Sequence, residues 1–349
     1  MDNLGKRLFI LFVGLFWASL LALRTLYTLF KVGPRKLLER RDPGNPPSEL
    51  FNSVYGEHAY MNVGPIKIHY VISGPENAPL MLMVHGFPEI WFSWRNQIKE
   101  FQKDFRVVAL DMRGFGDTDK PKGIQNYRID CLVEDLRLFV DALGYKSCVV
   151  VSHDWGGAVS WAFAARHPQI VDRLVVMNIP PVPIWHQGFS SISKPVQFLH
   201  SWYIYSFQLP FLPELFMLLE DAISLNQAFQ GPTSGLLLSK MTDDEVECYK
   251  YYFRKSGAMT SAINYYRANF YPPVAQHDLK YPMPLRIIWG CQDKFLTMDV
   301  LKDTLLAVPE ATLTKIEKAG HFVQMDDPVN VNASIREFLA STNFEMSKK

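Results

Sequence analysis

With 349 residues, 48% of them hydrophobic, and a formal net charge of +1, the chain can bury a large core and has no surplus of either charge. Those figures exclude a disordered chain and give no electrostatic case for nucleic acid or a polyanionic substrate. The cysteines Cys131, Cys148, Cys248 and Cys291 are widely spaced, with no Cys-x-x-Cys pair and no histidine at metal-ligand spacing, so reduced thiols are expected.

A short tail, 1–7, precedes the apolar run LFILFVGLFWASLLALRTLYTLF from Leu8 to Phe30, interrupted only by Arg24. A bilayer span needs about 20 apolar residues. Apolar residues occupy every face of this helix and no small-x-small cleavage site follows it, which favours a transmembrane signal-anchor over a cleaved signal peptide or a surface helix. Lys31, Arg35, Lys36, Arg40 and Arg41 follow the run, against Lys6 and Arg7 before it. The positive-inside rule then predicts a single-pass protein with a cytosolic catalytic domain, and Arg24 can snorkel toward the same side. Asn332-Ala333-Ser334 is a glycosylation sequon on a predicted surface helix, and a glycan there would reverse that topology. The C-terminal Met346-Ser347-Lys348-Lys349 is neither a peroxisomal nor a lumenal retention signal, so the membrane stays open, with the endoplasmic reticulum as the expectation.

Residues 31–50 form a basic linker ending in the Pro- and Gly-rich stretch DPGNPPS. Beyond it, 66–72, 80–84, 106–110, 147–152 and 173–177 read as strands, and 91–103, 129–143 and 156–166 as helices between them. Such alternation predicts a parallel sheet covered on both faces. The pattern stops at Pro180-Pro181-Val182-Pro183 and resumes with a strand at 285–289, a helix at 299–307, a strand at 312–316 and a last helix at 328–339. The expected organisation is a core in two parts, 51–181 and 281–340, around a helical, aromatic-rich insertion, 182–280, with a tail at 341–349.

His153-Asp154-Trp155-Gly156-Gly157, entered from the apolar run Cys148 to Ser152, has the layout of a nucleophile elbow with a carboxylate at its centre. A carboxylate there suits attack on an alkyl carbon, because the resulting ester can still be hydrolysed at its carbonyl. A serine attacking the same carbon would leave a stable ether. An acid and a histidine are needed to activate the hydrolytic water. Asp293 follows the strand LRIIWG, His321 follows the next strand, and the order nucleophile, acid, histidine is that of triads on such sheets. Asn178, after the strand at 173–177, occupies the other loop from which an acid could come, and it cannot ionise. Singly, Asp293 is as readily a turn cap and His321 an ordinary loop histidine; the ordered set with the elbow favours the triad. His85-Gly86-Phe87-Pro88-Glu89 follows a strand where half of an oxyanion hole is expected, with the backbone N–H of Phe87 joining that of Trp155. The bond before Pro88 is a candidate cis peptide.

HGFPEIWFSWR at 85–95, DMRGFGDTDKP at 111–121, SHDWGGAVSW at 152–161, the Asp293 loop and AGHFVQMDDP at 319–328 together resemble the α/β-hydrolase-fold epoxide hydrolases, in particular their membrane-anchored epoxide hydrolase 4-like branch. The resemblance covers roughly residues 50–340. It implies an α/β-hydrolase fold, with a mostly parallel central sheet covered by helices on both faces and a helical lid inserted after the sixth strand. Asp111, Arg113, Gly114 and Gly116 belong to a family motif with a structural role. It also implies two lid tyrosines whose phenols support the epoxide oxygen: Tyr266 matches the second, with Tyr265 beside it, and Tyr203 the first, with Tyr205 as the alternative. Simple aromatic packing is the ordinary explanation for any one lid tyrosine. An alkoxide is nonetheless a poor leaving group, and a neutral phenol is a suitable donor to it.

The expected reaction is hydrolysis of apolar, perhaps lipid-derived, epoxides to vicinal diols through an ester on Asp154, with His321 as general base oriented by Asp293. Trp155, Pro88, Tyr205 and Tyr265 are expected to line the pocket. No metal or organic cofactor is called for, and the expected partners are a small apolar epoxide and the bilayer, without nucleic acid. Two rivals stand beside this reading. One is a haloalkane or haloacid dehalogenase using the same nucleophile, against which count the two tyrosines and the presence of Phe87 and Glu89 where many such enzymes carry a halide-binding asparagine. The other is a non-catalytic, membrane-tethered binding protein on the same fold.

Overall fold

The computed structural model describes residues 3–190, 194–270 and 279–342. The tail expected at 341–349 falls almost wholly outside them, as do 191–193 and 271–278 of the expected insertion. Helix α1 (Asn3–Leu37) is longer than the apolar run that announces it and breaks at Gly33, whose φ is 79°, ahead of Pro34. Its stretch Leu8–Leu37 is long and apolar enough to cross a membrane.

Eight strands follow: β1 (Glu57–Val63), β2 (Ile66–Ser73), β3 (Leu80–Val84), β4 (Arg106–Leu110), β5 (Cys148–His153), β6 (Val171–Met177), β7 (Leu285–Gly290) and β8 (Thr312–Ile316). They form one sheet in the order β1-β2-β4-β3-β5-β6-β7-β8, in which β2 runs antiparallel to both its neighbours and the rest are parallel. β1 was absent from the sequence reading for a physical reason. It is an edge strand, EHAYMNV, that buries only Val63, so it has no apolar run to announce it. With β1 counted, the helical insertion does follow the sixth strand.

The central strands β3 and β5 are buried along their whole length, as continuous Val, Leu and Met runs require. Helices α2 (Arg95–Phe101), α3 (Ile129–Ala142) and α4 (Asp154–Arg166) connect the first strands. The expected helix at 91–103 is shorter, because Trp91–Trp94 form a tight 3₁₀ turn before α2.

Between β6 and β7 lies the lid: α5 (Val182–Ser190), α6 (Pro195–His200), α7 (Trp202–Ser206), α8 (Leu212–Gln230), α9 (Asp243–Phe253) and α10 (Ala258–Ala268). Thr242 caps α9 in a reciprocal box with Glu245, which fixes where that helix starts. After the lid come α11 (Met298–Ala307), α12 (Val323–Asp326) and α13 (Pro328–Ser341).

Helix α1 is docked on the lid, packing along α7 and touching α8. Gly14 makes this approach possible, because a Cβ there would lie 2.9 Å from the backbone oxygen of Tyr205. The ring of Phe9 meets Phe198 and Tyr205, and Trp17 meets Trp202.

The sequon differs from expectation. Asn332 is only partly exposed and accepts a hydrogen bond from Gln97 at 3.0 Å, while Ser334 is buried with its hydroxyl on Thr314 at 2.8 Å. α13 buries that side against β7 and α2, so a folded domain offers a poor glycan acceptor and a missing glycan carries no topological information.

Candidate active site

The parallel strands β3, β5, β6 and β7 end at one edge of the sheet, and the loops leaving them converge there. Asp154 sits in the turn between β5 and α4 with a φ of 47°, a left-handed conformation that Asp tolerates better than most residues. Small neighbours are obligatory at such a turn. A Cβ on Gly156 would lie 2.2 Å from the oxygen of Val84, and one on Gly157 would lie 2.3 Å from Ile179 Cγ2. The Phe87-Pro88 bond is cis.

The three triad candidates come together. His321 Nδ1 lies 2.7 Å from Asp293 Oδ2, and its Nε2 lies 3.5 Å from Asp154 Oδ2. The other oxygen of Asp154, Oδ1, accepts the Phe87 N–H at 2.8 Å. The two carboxylate oxygens are therefore already distinguished, one in the expected oxyanion hole and one beside the histidine. The Trp155 N–H belongs to the first turn of α4, where helical N–H groups have no acceptor within the helix.

Electrostatics follow from this geometry. Burial pushes the Asp154 carboxyl up, but the hydrogen bond and positive charge of His321, with the Phe87 amide, outweigh it and hold the group below the usual range. For Asp293, too, burial is outweighed, here by His321, the Leu296 amide and Asn178. Burial alone would lower the His321 imidazole, yet the charge of Asp293 and the hydrogen bonds of Asp154 and Asp293 push it up to about 10.

Several residues that the sequence reading passed over hold this arrangement. Asn178, itself at a φ of 46°, donates to Asp293 Oδ2 at 2.7 Å and accepts the Gly290 N–H at 2.9 Å. Asp293 Oδ1 takes the amides of Phe295 and Leu296 at 2.7 and 3.0 Å. Beneath the nucleophile, His153 bridges Glu89 at 2.5 Å and the backbone oxygen of His321 at 2.8 Å, and Gln324 donates to the second oxygen of Glu89 at 2.8 Å. The signal for these was a polar residue beside an apolar run, His153 after Cys148-Val149-Val150-Val151 and Ser152, and Glu89 before Ile90-Trp91-Phe92.

From the lid, Tyr203 on α7 and Tyr266 on α10 form a pair with ring centroids 5.7 Å apart and interacting hydroxyls. Burial raises both phenols, helped at Tyr203 by the charge of Asp154 and at Tyr266 by Tyr203 and then Asp154, so both stay protonated donors at neutral pH. Tyr266 packs on Phe87 at 5.4 Å and Trp155 at 5.1 Å, and Tyr203 packs on Phe295, which in turn contacts His321 at 5.0 Å.

Two expectations need correcting. The Tyr265 hydroxyl donates to the Arg113 oxygen at 2.7 Å, which turns it away from the nucleophile, and the ring only backs Trp155 at 5.6 Å. Tyr205 packs among Phe9, Phe198 and Phe270, so it belongs to the contact between lid and α1. Neither replaces Tyr203 or Tyr266. Pro88 is buried directly after Phe87, and Trp155 meets Trp185 and Tyr266 across the site. Asp111, left outside the site by the sequence, hydrogen-bonds His69 at 2.7 Å and the Trp91 N–H at 2.8 Å below the sheet edge.

Comparison with known proteins agrees with this architecture. The α/β hydrolase fold family matches residues 79–328. Epoxide hydrolase 4 of Homo sapiens is 37% identical over 92% of this chain and 89% of its own length. Epoxide hydrolase 1 of Caenorhabditis elegans is 40% identical over 90% of this chain and 77% of its own. Among solved structures, a Bacillus megaterium epoxide hydrolase in complex with an inhibitor superposes with a TM-score of 0.72 at 33% identity, covering 81% of this chain and 100% of that one.

Proposed function

The chain belongs to the epoxide hydrolases of the α/β hydrolase fold and hydrolyses epoxides, and from that premise we propose that Asp154 is the nucleophile, His321 the base and Asp293 its orienting acid. The observation that carries the assignment is the split environment of the Asp154 carboxylate. Oδ1 is tied to the Phe87 N–H, so Oδ2 is the oxygen free to attack the epoxide carbon. Tyr203 and Tyr266 hydrogen-bond the epoxide oxygen as the C–O bond breaks, and the departing oxygen leaves as an alcohol. The product of this half-reaction is a hydroxyalkyl ester of Asp154.

Esterification removes one of the two carboxylates that raise the imidazole. The His321 proton then becomes acidic enough to leave and makes good the proton that the phenols pass to the new hydroxyl, and the neutral ring is the base that takes a proton from water. Water adds to Cγ of Asp154, and Oδ1, already at the Phe87 amide, becomes the oxyanion with Trp155 as second donor. Collapse releases the vicinal diol and restores the carboxylate.

The aromatic surround of Phe87, Trp155, Trp185, Tyr203, Tyr266 and Phe295 supports apolar epoxides as substrates. We further propose that α1 anchors the enzyme in a membrane, with the hydrolase domain on the cytosolic side, because Lys31, Arg35, Lys36, Arg40 and Arg41 follow the apolar run against Lys6 and Arg7 before it. The endoplasmic reticulum, where apolar epoxides partition into lipid, fits that arrangement.

The test is the fate of the ester. His321→Gln should accumulate a covalent adduct with an aryl or fatty-acid epoxide, located at Asp154 by mass spectrometry. Oxygen-18 from water should enter Asp154 over repeated turnovers of the native enzyme. Turnover that survives Asp154→Ala would remove the assignment.

A further inference from the structure

Seven large apolar side chains among the described lid residues are exposed: Leu237 and Leu238 between α8 and α9, and a group of five, Val196 and Leu199 on α6, Phe211, and Leu212 and Leu215 at the start of α8. Residues next to this group reach the docked α1. Phe198, beside Leu199, contacts Phe9 of α1, and Leu209, two residues before Phe211, would be 3.6 Å from a Cβ on Gly14. Phe211 is the extreme case, 83% exposed and held at a φ of 61°, a conformation that a bulky residue adopts only at a cost. A strained backbone that holds an aromatic ring out into solvent needs something apolar to meet the ring.

α1 presents its own apolar stripe beside them, with Phe12 71%, Leu23 63% and Phe30 90% exposed. Docking joins the helix that carries the stripe to the lid that carries these residues, and exposed apolar area of this kind marks a place that water does not cover in use. Lys31 and Arg35 stand at one end of the stripe, at the spacing that suits anionic headgroups next to an acyl layer.

We propose that the lid itself is seated in lipid: α1 and the five lid residues form one continuous surface that enters the acyl layer of a leaflet. This rests on the reading of α1 as a membrane anchor and extends it from the helix to the catalytic lid. α7 then lies between lipid and site, with Trp202 and Tyr205 turned to α1 and Tyr203 paired with Tyr266 above the nucleophile.

The experiment uses the full chain in phosphatidylcholine vesicles containing lipids with a nitroxide quencher on the acyl chain. Cys131 and Cys291, the partly exposed thiols, are replaced by serine, and a polarity-sensitive fluorophore is attached in turn at Phe16→Cys, Leu199→Cys, Leu215→Cys and Val329→Cys. Val329, 76% exposed on α13, is the control, an exposed apolar residue outside both the lid and α1. Seating of the lid predicts that acyl quenchers remove most of the fluorescence at 16, 199 and 215 and leave 329 unchanged. Quenching at 16 alone overturns the proposal while the anchor stands. No quenching at any position, with protein that does not float with the vesicles, overturns the anchor and the proposal together. Equal quenching at 329 means unspecific adsorption and also overturns it.

Discussion

Asn178 donates its side-chain amide to the same oxygen of Asp293 that holds His321, so one carboxylate oxygen carries two hydrogen bonds, each of 2.7 Å. The residue that could not serve as the acid instead fixes the acid. Asn178→Ala is expected to leave formation of the Asp154 ester nearly intact and to slow its hydrolysis by about 10- to 100-fold, since a hydrogen bond to a charged group is worth about 1.5–3 kcal/mol. Single-turnover kinetics separate the two steps. Equal slowing of both would assign Asn178 a purely structural role.

Gly86 leaves no room for any side chain. A Cβ there would lie 2.4 Å from the Asp154 Cβ and 2.5 Å from its Oδ1. Gly86→Ala should therefore displace the nucleophile from the Phe87 amide and reduce the rate of ester formation by about 10²-fold, the usual cost of misplacing a reacting group by an ångström. Far-ultraviolet circular dichroism and the melting temperature should change little. An unfolded variant would instead assign the close approach to stability.

On the proposed mechanism the two phenols act before the ester forms. Tyr203→Phe and Tyr266→Phe are each expected to slow ring opening by about 10²-fold, as loss of one donor to a developing oxyanion does. Hydrolysis of a preformed ester should be unaffected. A pronounced effect on the second step would place the tyrosines on the wrong half of the reaction.

The His321 imidazole is raised in the folded protein to about 10. Its ordinary value is about 6.5. A group raised on folding contributes its stability in full below the unfolded value and loses it as pH climbs through the folded one. Melting temperature should therefore decline between about pH 6.5 and 10, and His321→Gln should flatten that part of the profile. An unchanged slope in the variant would show that another group carries it.

Most of the scaffold was legible because buried parallel strands are written as unbroken Val, Leu and Met runs, as in β3 and β5. β1 was not, because an edge strand buried at Val63 alone has no such run. Asp154, Asp293 and His321 were singled out by their order relative to the strands, and the structure brings their side chains together. Tyr205 and Tyr265 could not be told from Tyr203 and Tyr266 by spacing, since neighbouring helical residues point in different directions and only packing decides which faces the site. The sequence placed Asn178 at the alternative acid position and showed Glu89 and His153 as polar residues in apolar company, but none of these signals says which group each one binds.

The triangle of Asp154, His321 and Asp293 has a consequence for the inventory of charge in the pocket. With both carboxylates ionised and the imidazole protonated, the three groups sum to one negative charge, and an epoxide adds none. After ring opening the imidazole proton has gone to the new hydroxyl and the ester is neutral, so the sum is the same, now resting on Asp293 alone. Water attack and release of the diol conserve it again. The enzyme can therefore complete a cycle without importing or expelling an ion, so the dry aromatic enclosure never bears the desolvation cost of one.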